Sequence, residues 1–249
     1  MENNLEKLNE VNHSERIFLA GPQPRASELI FTLKLLRDFI RGMRTFHFIG
    51  PCATVFGSAR YKEGHPYYEQ ARQIGSSLVD LGFVVMTGGG PGLMEAANRG
   101  AREAGGKSVG CNIRLPDEQR INPYLDKWVL IDFFFVRKVL LTKYSYAFIV
   151  LPGGFGTLDE LFGSVTLIQT KKSKVFPIII MGKHFYKDLI EHIDHMIEEG
   201  TITKEEKDLI LFTDDVNEAI VHIQNFAIKK FNLKEKKIPK PFWFFNERK

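Results

Sequence analysis

Three glycines within four positions, Gly153, Gly154 and Gly156, separate an apolar run from a helical pattern. The run at residues 147–151 predicts a buried strand, and the apolar spacing over residues 161–168 predicts a helix. Glycine lets the backbone approach a ligand closely, and the free N–H groups that begin a helix favour an anion, most often a phosphate. The segment therefore predicts a strand, a phosphate-binding loop and a helix in succession.

A simpler interpretation of the same segment is a tight turn that leads into a capped helix. Thr157 and Glu160 match a capping box, with Thr157 at the N-cap and Glu160 at N3. A cap accounts for these two residues, but it does not account for the three glycines. The phosphate-binding loop is therefore the favoured interpretation.

Apolar runs alternate with helical patterns along the chain. The predicted strands cover residues 54–56, 83–86, 107–112, 128–134, 147–151, 176–181 and 209–212. Such alternation predicts an α/β fold, with a doubly wound, mainly parallel sheet and helices on both faces. In sheets of this kind ligands bind at the carboxyl ends of the strands. The glycine turns at residues 57–60, 88–92 and 153–157 should therefore meet at one edge.

The chain is predicted to form a single domain. Residues 1–48 form a helical extension, residues 49–230 the core, and residues 231–249 a basic and aromatic tail. In the extension, Ser27 is the predicted cap of a helix that ends near Arg44. One apolar face of this helix should pack on the outside of the domain or on a partner chain; it comprises Leu29, Leu33, Leu36, Ile40 and Met43.

The composition restricts the classes of partner. A net charge of +4 over 249 residues suits anionic small molecules but is too small to indicate nucleic acid. No apolar run approaches the length of a membrane span and no secretory signal follows Met1, so we expect a cytoplasmic protein without membrane contact. Cys52 and Cys111 each lie beside an apolar run, which predicts buried free thiols.

Two other motifs fail on their spacing. Gly88, Gly90 and Gly92 lack the last spacing of the dinucleotide-binding fingerprint. His192 and His195 lie three positions apart on a predicted helix, but no acidic or cysteine ligand has a diagnostic spacing. A solvated helix face is therefore favoured over a zinc site, and we expect no metal.

Arg137 and Lys138 stand where a predicted strand gives way to a helix. Cations at a helix N-terminus oppose the helix dipole, so this is an unfavourable place for purely solvated charges. An anionic ligand at the same edge of the sheet would remove the conflict. The pair therefore indicates a functional site.

Together these segments resemble the Lonely Guy family of nucleoside 5′-monophosphate phosphoribohydrolases over residues 45–225. Residues 152–160 match the family's PGGxGTxxE motif, residues 88–97 are similar to its GGGxxGLM segment, and Arg137-Lys138 matches its Arg-Lys pair. The resemblance implies a Rossmann-like fold, a homodimer, and hydrolysis of an N-glycosidic bond to a free base and ribose 5-phosphate. It implies no cofactor.

By the same resemblance, Arg137 and Glu160 are the catalytic pair. The implied contacts with the nucleotide are Gly57, Ser58, Arg60, Gly89, Gly90, Glu118, Lys138, Gly153, Gly154, Gly156, Thr157 and Thr166. Glu95 and the long N-terminal helix are similar to the bacterial-type branch of the family, which favours AMP over a cytokinin riboside 5′-monophosphate. Family members have often been labelled lysine decarboxylases, but no lysine here has a recognisable pyridoxal phosphate context.

Two other classes of protein stay open at this point. A non-enzymatic nucleotide or molybdenum-cofactor carrier resembles this fold and needs only the glycine loops, so the presence of both Arg137 and Glu160 favours the enzyme. A nucleic-acid-binding module on a related fold would need more positive charge than this chain carries.

Overall fold

The structure, a computed structural model, describes residues 15–115 and 121–228. Within these ranges seven strands form one sheet in the order β4-β3-β2-β1-β5-β6-β7. The strands are β1 (Cys52–Phe56), β2 (Val84–Thr87), β3 (Ser108–Ile113), β4 (Lys127–Ile131), β5 (Ser145–Val150), β6 (Ile178–Ile180) and β7 (Ile210–Phe212). Every neighbouring pair is parallel, which confirms the predicted parallel sheet.

Helices cover both faces of this sheet. They are α1 (Arg25–Phe46), α2 (Pro66–Asp80), α3 (Leu93–Glu103), α4 (Phe134–Tyr144), α5 (Phe155–Gln169), α6 (Lys187–Glu198), α7 (Lys204–Lys207) and α8 (Val216–Ile223), followed by a π-helical turn at Gln224–Ile228. Buried side chains of α1, α4 and α5 pack on one face, and those of α2, α3 and α8 pack on the other. The α/β doubly wound fold is therefore confirmed, and no described helix has the length and apolarity to cross a membrane.

The strand order reverses direction between β1 and β5. From β1 the chain builds outward through β2, β3 and β4, and then returns to β5 on the other side of β1. The loops that leave β1 and β5 therefore turn toward opposite faces of the sheet and open a crevice between their carboxyl ends. The glycine turns at residues 57–60 and 153–157 both border this crevice.

The predicted strand at residues 128–134 ends earlier than expected, at Ile131. The N–H group of the next residue, Asp132, donates to the Asp38 carboxylate of α1 at 2.7 Å, so the chain leaves the sheet there. Helix α4 then begins at Phe134 and runs directly into β5, because Tyr144 ends the helix and Ser145 begins the strand.

The predicted cap of α1 is wrong, and its predicted apolar face is largely exposed within the single chain. The helix begins at Arg25 after Pro24 without a side-chain cap, so Ser27 is not its N-cap. Its buried positions are Phe31, Asp38, Gly42 and Phe46, whereas Leu29, Leu33 and Leu36 are more than half exposed. Gly42 explains this orientation, because a β-carbon there would overlap the side chain of Leu140 on α4.

Candidate active site

Three glycine turns lie against one another at the carboxyl edge of the sheet. The N–H group of Ser58, after β1, donates to the carbonyl oxygen of Pro152, after β5, at 3.0 Å. The Ser58 carbonyl oxygen in turn accepts from the N–H group of Leu93, the first residue of α3, at 3.0 Å. A β-carbon at Gly57 would press on Leu93, and one at Gly92 would press on the backbone of residues 58–59. The glycines therefore allow these turns to meet.

The loop after β5 begins a helix, but not in the way that the capping box predicted. The N-cap of α5 is Gly154, so no side chain caps this helix. Helix α5 begins at Phe155, which makes Thr157 its third residue and Glu160 its sixth. The capping box is therefore wrong. Thr157 instead packs under the loop, since a β-carbon at Gly153 would overlap its hydroxyl oxygen. This inward packing leaves the Thr157 side chain only 8% exposed.

The outer side of this loop is open. A β-carbon at Gly154 or at Gly156 would meet no atom within 4 Å, and the side chain of Phe155 between them is 94% exposed. The first N–H groups of a helix have no partner within the helix, and the first turn of α5 carries no acid to use them. The loop therefore offers both space and hydrogen-bond donors to an anion.

Arg137 lies in the second turn of α4 and reaches across the ends of β2 and β3. Its Nε donates to the carbonyl oxygen of Cys111 at 2.9 Å. Its Nη2 lies so close to Gly88 that a β-carbon there would overlap it. The guanidinium is thus bonded to the backbone of β3 and lies against Gly88 after β2, and no described carboxylate forms an ion pair with it.

Glu160 carries the buried carboxylate of the site. Its side chain is 6% exposed, and Oε2 has no hydrogen-bond partner among the described residues. Burial raises the pKa of Glu160 to about 6, although the nearby charges of Arg137 and Lys138 act in the opposite direction. Arg137 on α4 and Glu160 on α5 therefore lie close enough for their charges to interact.

Lys138 joins the two helices of the site. Its Nζ lies 2.8 Å from the Asp159 carboxylate, and its stem crosses Gly163, where a β-carbon would overlap the lysine Cε and Nζ. Thr166 lies further along α5, with an exposed side chain whose hydroxyl donates to the carbonyl oxygen of Phe162 at 2.7 Å. The structure thus brings Lys138 beside the pair, whereas the Thr166 hydroxyl is engaged by its own helix.

The remaining predicted contacts lie around the same crevice, with one exception. Arg60 is exposed on the loop after β1, and its N–H group donates to the Ser58 hydroxyl at 3.1 Å. Gly89 has a φ of +73°, and its neighbour Gly90 accepts from the Asn122 side chain at 3.1 Å through its carbonyl oxygen. Glu118 lies outside the described residues, as does the C-terminal tail at residues 231–249.

Asn112 is a residue of this edge that sequence reasoning missed. It is 6% exposed near the end of β3, and its Oδ1 has no hydrogen-bond partner among the described residues. Gly89 lies directly against this oxygen, because a β-carbon at Gly89 would overlap it. A polar residue near the end of an otherwise apolar strand was the available signal.

The cysteines and histidines do not extend the site. Cys52 and Cys111 are buried free thiols, as predicted, and burial raises the pKa of Cys111 to about 12, so its thiol stays protonated at neutral pH. Among the described residues no group of three or more histidine, cysteine, aspartate or glutamate side chains could hold a metal ion. His195 lies instead 3.5 Å from Glu198 on the exposed side of α6.

The fold and the site together define a Rossmann-like α/β protein with a glycine-lined crevice and a buried carboxylate at the switch point of its sheet. The profile of the family described as "Possible lysine decarboxylase" matches residues 94–223. The chain belongs to this family, the Lonely Guy family.

Relatives in plants and bacteria have similar sequences. The cytokinin riboside 5′-monophosphate phosphoribohydrolase LOG of Oryza sativa subsp. japonica is 27% identical over 174 residues, which are 69% of this chain and 71% of that protein. The cytokinin riboside 5′-monophosphate phosphoribohydrolase of Rhodococcoides fascians is 28% identical over 178 residues, 69% of this chain and 88% of that protein.

Solved structures with the same fold include molybdenum-cofactor proteins. The molybdenum cofactor binding protein of Rippkaea orientalis has a TM-score of 0.53 and 21% identity, over 71% of this chain and 96% of that chain. The Moco carrier protein of Chlamydomonas rheinhardtii has a TM-score of 0.51 and 22% identity, over 71% and 96% of the two chains. At such identities these similarities establish the fold alone.

Proposed function

We propose that this protein hydrolyses the N-glycosidic bond of a nucleoside 5′-monophosphate and releases the free base and ribose 5-phosphate. The observation that carries the proposal is the Glu160 carboxylate, which is buried without a partner for Oε2 beside the open glycine loop. A buried carboxylate is costly to a fold, so a partnerless one in a crevice is a candidate for catalysis.

The chemistry of glycosidic cleavage suits this carboxylate. The transition state has oxocarbenium character, with positive charge that develops on the ribose. An ionised Glu160 near the anomeric carbon would stabilise that charge and could accept a proton from the attacking water. With a pKa of about 6, the group is mostly ionised at neutral pH.

The glycine loop would bind the 5′-phosphate. Its first N–H groups and the space over Gly154 and Gly156 suit a phosphate at the helix N-terminus. Arg137 would orient the nucleotide through its planar guanidinium, whose Nε is already fixed by the Cys111 carbonyl oxygen. The phosphoribohydrolase names of the rice and Rhodococcoides relatives support the same reaction.

AMP is the substrate that we propose first, and a cytokinin riboside 5′-monophosphate the second. The reason is the bacterial-type character of Glu95 and of the N-terminal helix. In the structure the Glu95 carboxylate accepts from the Tyr68 hydroxyl at 3.2 Å, so it takes part in the packing of α2 on α3. The alternative, a non-enzymatic nucleotide or molybdenum-cofactor carrier, gives no use for the buried Glu160.

The test measures release of adenine from AMP, with adenosine as the substrate that lacks the phosphate. We expect AMP to be cleaved and adenosine to be a far poorer substrate, because the loop would bind the phosphate.

Glu160→Gln should lower base release by about 10²–10⁴-fold while AMP binding survives. Glu191→Gln, an exposed change on α6, is the control. Normal turnover by Glu160→Gln, or AMP binding without any base release by the wild type, would favour a carrier.

A further inference from the structure

Five charged side chains link the N-terminal helix α1 to the segment that leads into α4. They are Arg37, Asp38 and Arg41 of α1, Arg114 just after β3, and Asp132 just after β4. None of them belongs to the nucleotide site as proposed above. Their position nevertheless connects the extension to the helix that carries Arg137.

Asp38 is the buried centre of this network. Its side chain is 0% exposed; Oδ2 accepts from the N–H group of Asp132 at 2.7 Å, and Oδ1 lies 3.3 Å from Nη1 of Arg41. Burying a carboxylate costs free energy that apolar packing would not, so such a group is poor evidence for stabilisation. In several systems buried polar groups instead specify one geometry, and the contacts of Asp38 are suited to that role.

Asp132 is held from two sides as well. Its Oδ2 accepts from Nη2 of Arg37 at 2.9 Å, and its Oδ1 accepts from Nε of Arg114 at 2.8 Å. Its own N–H group is used by Asp38. Both the backbone and the side chain of this residue are therefore fixed two positions before α4 begins.

Helix α4 has no cap of its own. Phe133 occupies the N-cap without a side-chain hydrogen bond, and no acid lies in the first turn. The backbone N–H group of Phe134 acts instead on the carboxyl group of Glu15, which precedes α1, and lowers its pKa, although burial raises that pKa overall. An acidic side chain of the extension thus lies at the start of the helix that carries Arg137 and Lys138 near its N-terminus.

Apolar contacts reinforce the same junction. The Phe31 ring of α1 meets the Phe133 ring edge-on, with centroids 5.0 Å apart. Gly42 of α1 brings the helix backbone against Leu140 of α4, at a distance that leaves no space for a β-carbon. The extension therefore contacts α4 along its length as well as at its start.

We propose that Asp38 is a positioning residue of the active site: by holding the backbone of Asp132 it fixes the start of α4, and thereby the guanidinium of Arg137 opposite Glu160. This inference rests on the proposed function for its catalytic part. It assigns the N-terminal extension a role in the reaction, although none of its described residues lies in the crevice.

The kinetic test uses Asp38→Ala and Asp38→Asn, with Glu28→Gln as the control, a half-buried acid in the first turn of the same helix. Asp38→Ala should lower kcat for AMP at least about tenfold, because small misplacements of a catalytic group are costly. KM should change little, since the glycine loop would still bind the phosphate. Asparagine keeps an acceptor for the Asp132 N–H group and should recover part of kcat.

A double-mutant cycle separates positioning from general loss of structure. In an Arg137→Ala background, measured by single turnover at high enzyme concentration, Asp38→Ala should have no further effect on the rate. An equal loss in both backgrounds, or an unchanged kcat in Asp38→Ala alone, would overturn the proposal.

Amide hydrogen exchange tests the structural part without any turnover. Asp38→Ala should accelerate exchange at residues 132–137, whereas residues 155–160 and the control variant should match the wild type. Unchanged exchange at residues 132–137 would show that Asp38 does not anchor the start of α4.

If the wild type releases no adenine, the proposed function fails, and the exchange result still decides whether Asp38 holds α4. Should Asp38→Ala not fold, Asp38→Asn gives the same comparison with a smaller expected effect.

Discussion

At the scale of single residues, the buried Glu160 makes the stability of the protein depend on pH. Its pKa is about 6 in the folded protein and 4.5 when unperturbed, because burial disfavours the charged form. The folded state therefore binds this proton more tightly than the unfolded state. The contribution of this group to stability is fully present below pH 4.5 and is lost as the pH rises through 6.

Glu160→Gln should remove this dependence. A pKa difference of this size corresponds to about 2 kcal/mol. Between pH 4 and pH 8 the wild type should therefore lose about 2 kcal/mol of unfolding free energy relative to the variant. Urea denaturation at a series of pH values measures this difference, with Glu191→Gln as the control. A difference that stays constant across this range would show that the Glu160 carboxyl is not perturbed in the folded protein.

The sequence predicted the candidate residues of the site better than it predicted their local roles. Residues 152–160 could be recognised as a strand-to-helix glycine loop because glycines and apolar periodicity are local signals. The capping box failed because Gly154, with extended φ and ψ of −92° and −156°, is the N-cap, so the helix begins three residues earlier than it would with Thr157 as the N-cap. Asn112 was not predicted, because the residues that contact it, such as Gly89, are distant from it in the sequence.

At the scale of elements, the glycines of the loop have different tasks. Gly153 gives space to Thr157, whereas Gly154 faces open space. Gly154→Ala should therefore keep a melting temperature close to that of the wild type but weaken AMP binding, because the methyl group would occupy the space proposed for the phosphate. Gly153→Ala should lower the melting temperature through its overlap with Thr157.

Calorimetric titration with AMP and thermal unfolding of both variants would test this difference. Exposed Phe155 supplies the matched control, since Phe155→Ala changes a side chain of the same loop that contacts little in the protein. Undiminished affinity for AMP in Gly154→Ala would argue against a phosphate at this position.

Strands were easier to predict than the face of α1. Strands buried on both sides appear as continuous apolar runs, so their order along the chain was readable. The end of β4 could not be predicted, because Asp132 leaves the sheet to donate a hydrogen bond to Asp38, which lies on another element. The face of α1 that packs on its own domain could not be predicted for a similar reason: Gly42 and buried Asp38 lie on it, and neither has an apolar side chain.

At the scale of the whole molecule, the exposed side of α1 suggests how two chains associate. Leu29, Ile30, Leu33 and Leu36 are each between 53% and 61% exposed on one side of this helix. We propose that this stripe, which is apolar over more than two turns, packs on a second copy of the chain in a homodimer.

Leu33→Glu should then shift the protein toward monomers, because the buried charge would have no partner in the interface. Sedimentation velocity at micromolar concentration would measure it, and Ser27→Glu adds the same charge to the same helix outside the stripe. A wild-type protein that sediments as a monomer would contradict the proposed dimer. A dimer that persists in Leu33→Glu would mean that another surface forms the interface.

The order of the strands could not be obtained from the sequence, although the parallel doubly wound class could. Alternation of strands and helices indicates the class, but the return from β4 to the far side of β1 is decided by contacts across the sheet. The carboxyl edge could nevertheless be predicted as the place of the candidate site, because every parallel strand ends there whatever the order.

Because α4 runs directly into β5, the number of residues between the start of α4 and the end of β5 cannot change without moving one of the two elements. One residue inserted between Tyr144 and Ser145 would have no loop to absorb it. It would either turn α4 by about 100° about its axis, which carries Arg137 away from the crevice, or move β5 by one position and exchange the two faces of that strand. Insertions and deletions at this point should therefore be eliminated as sequences diverge.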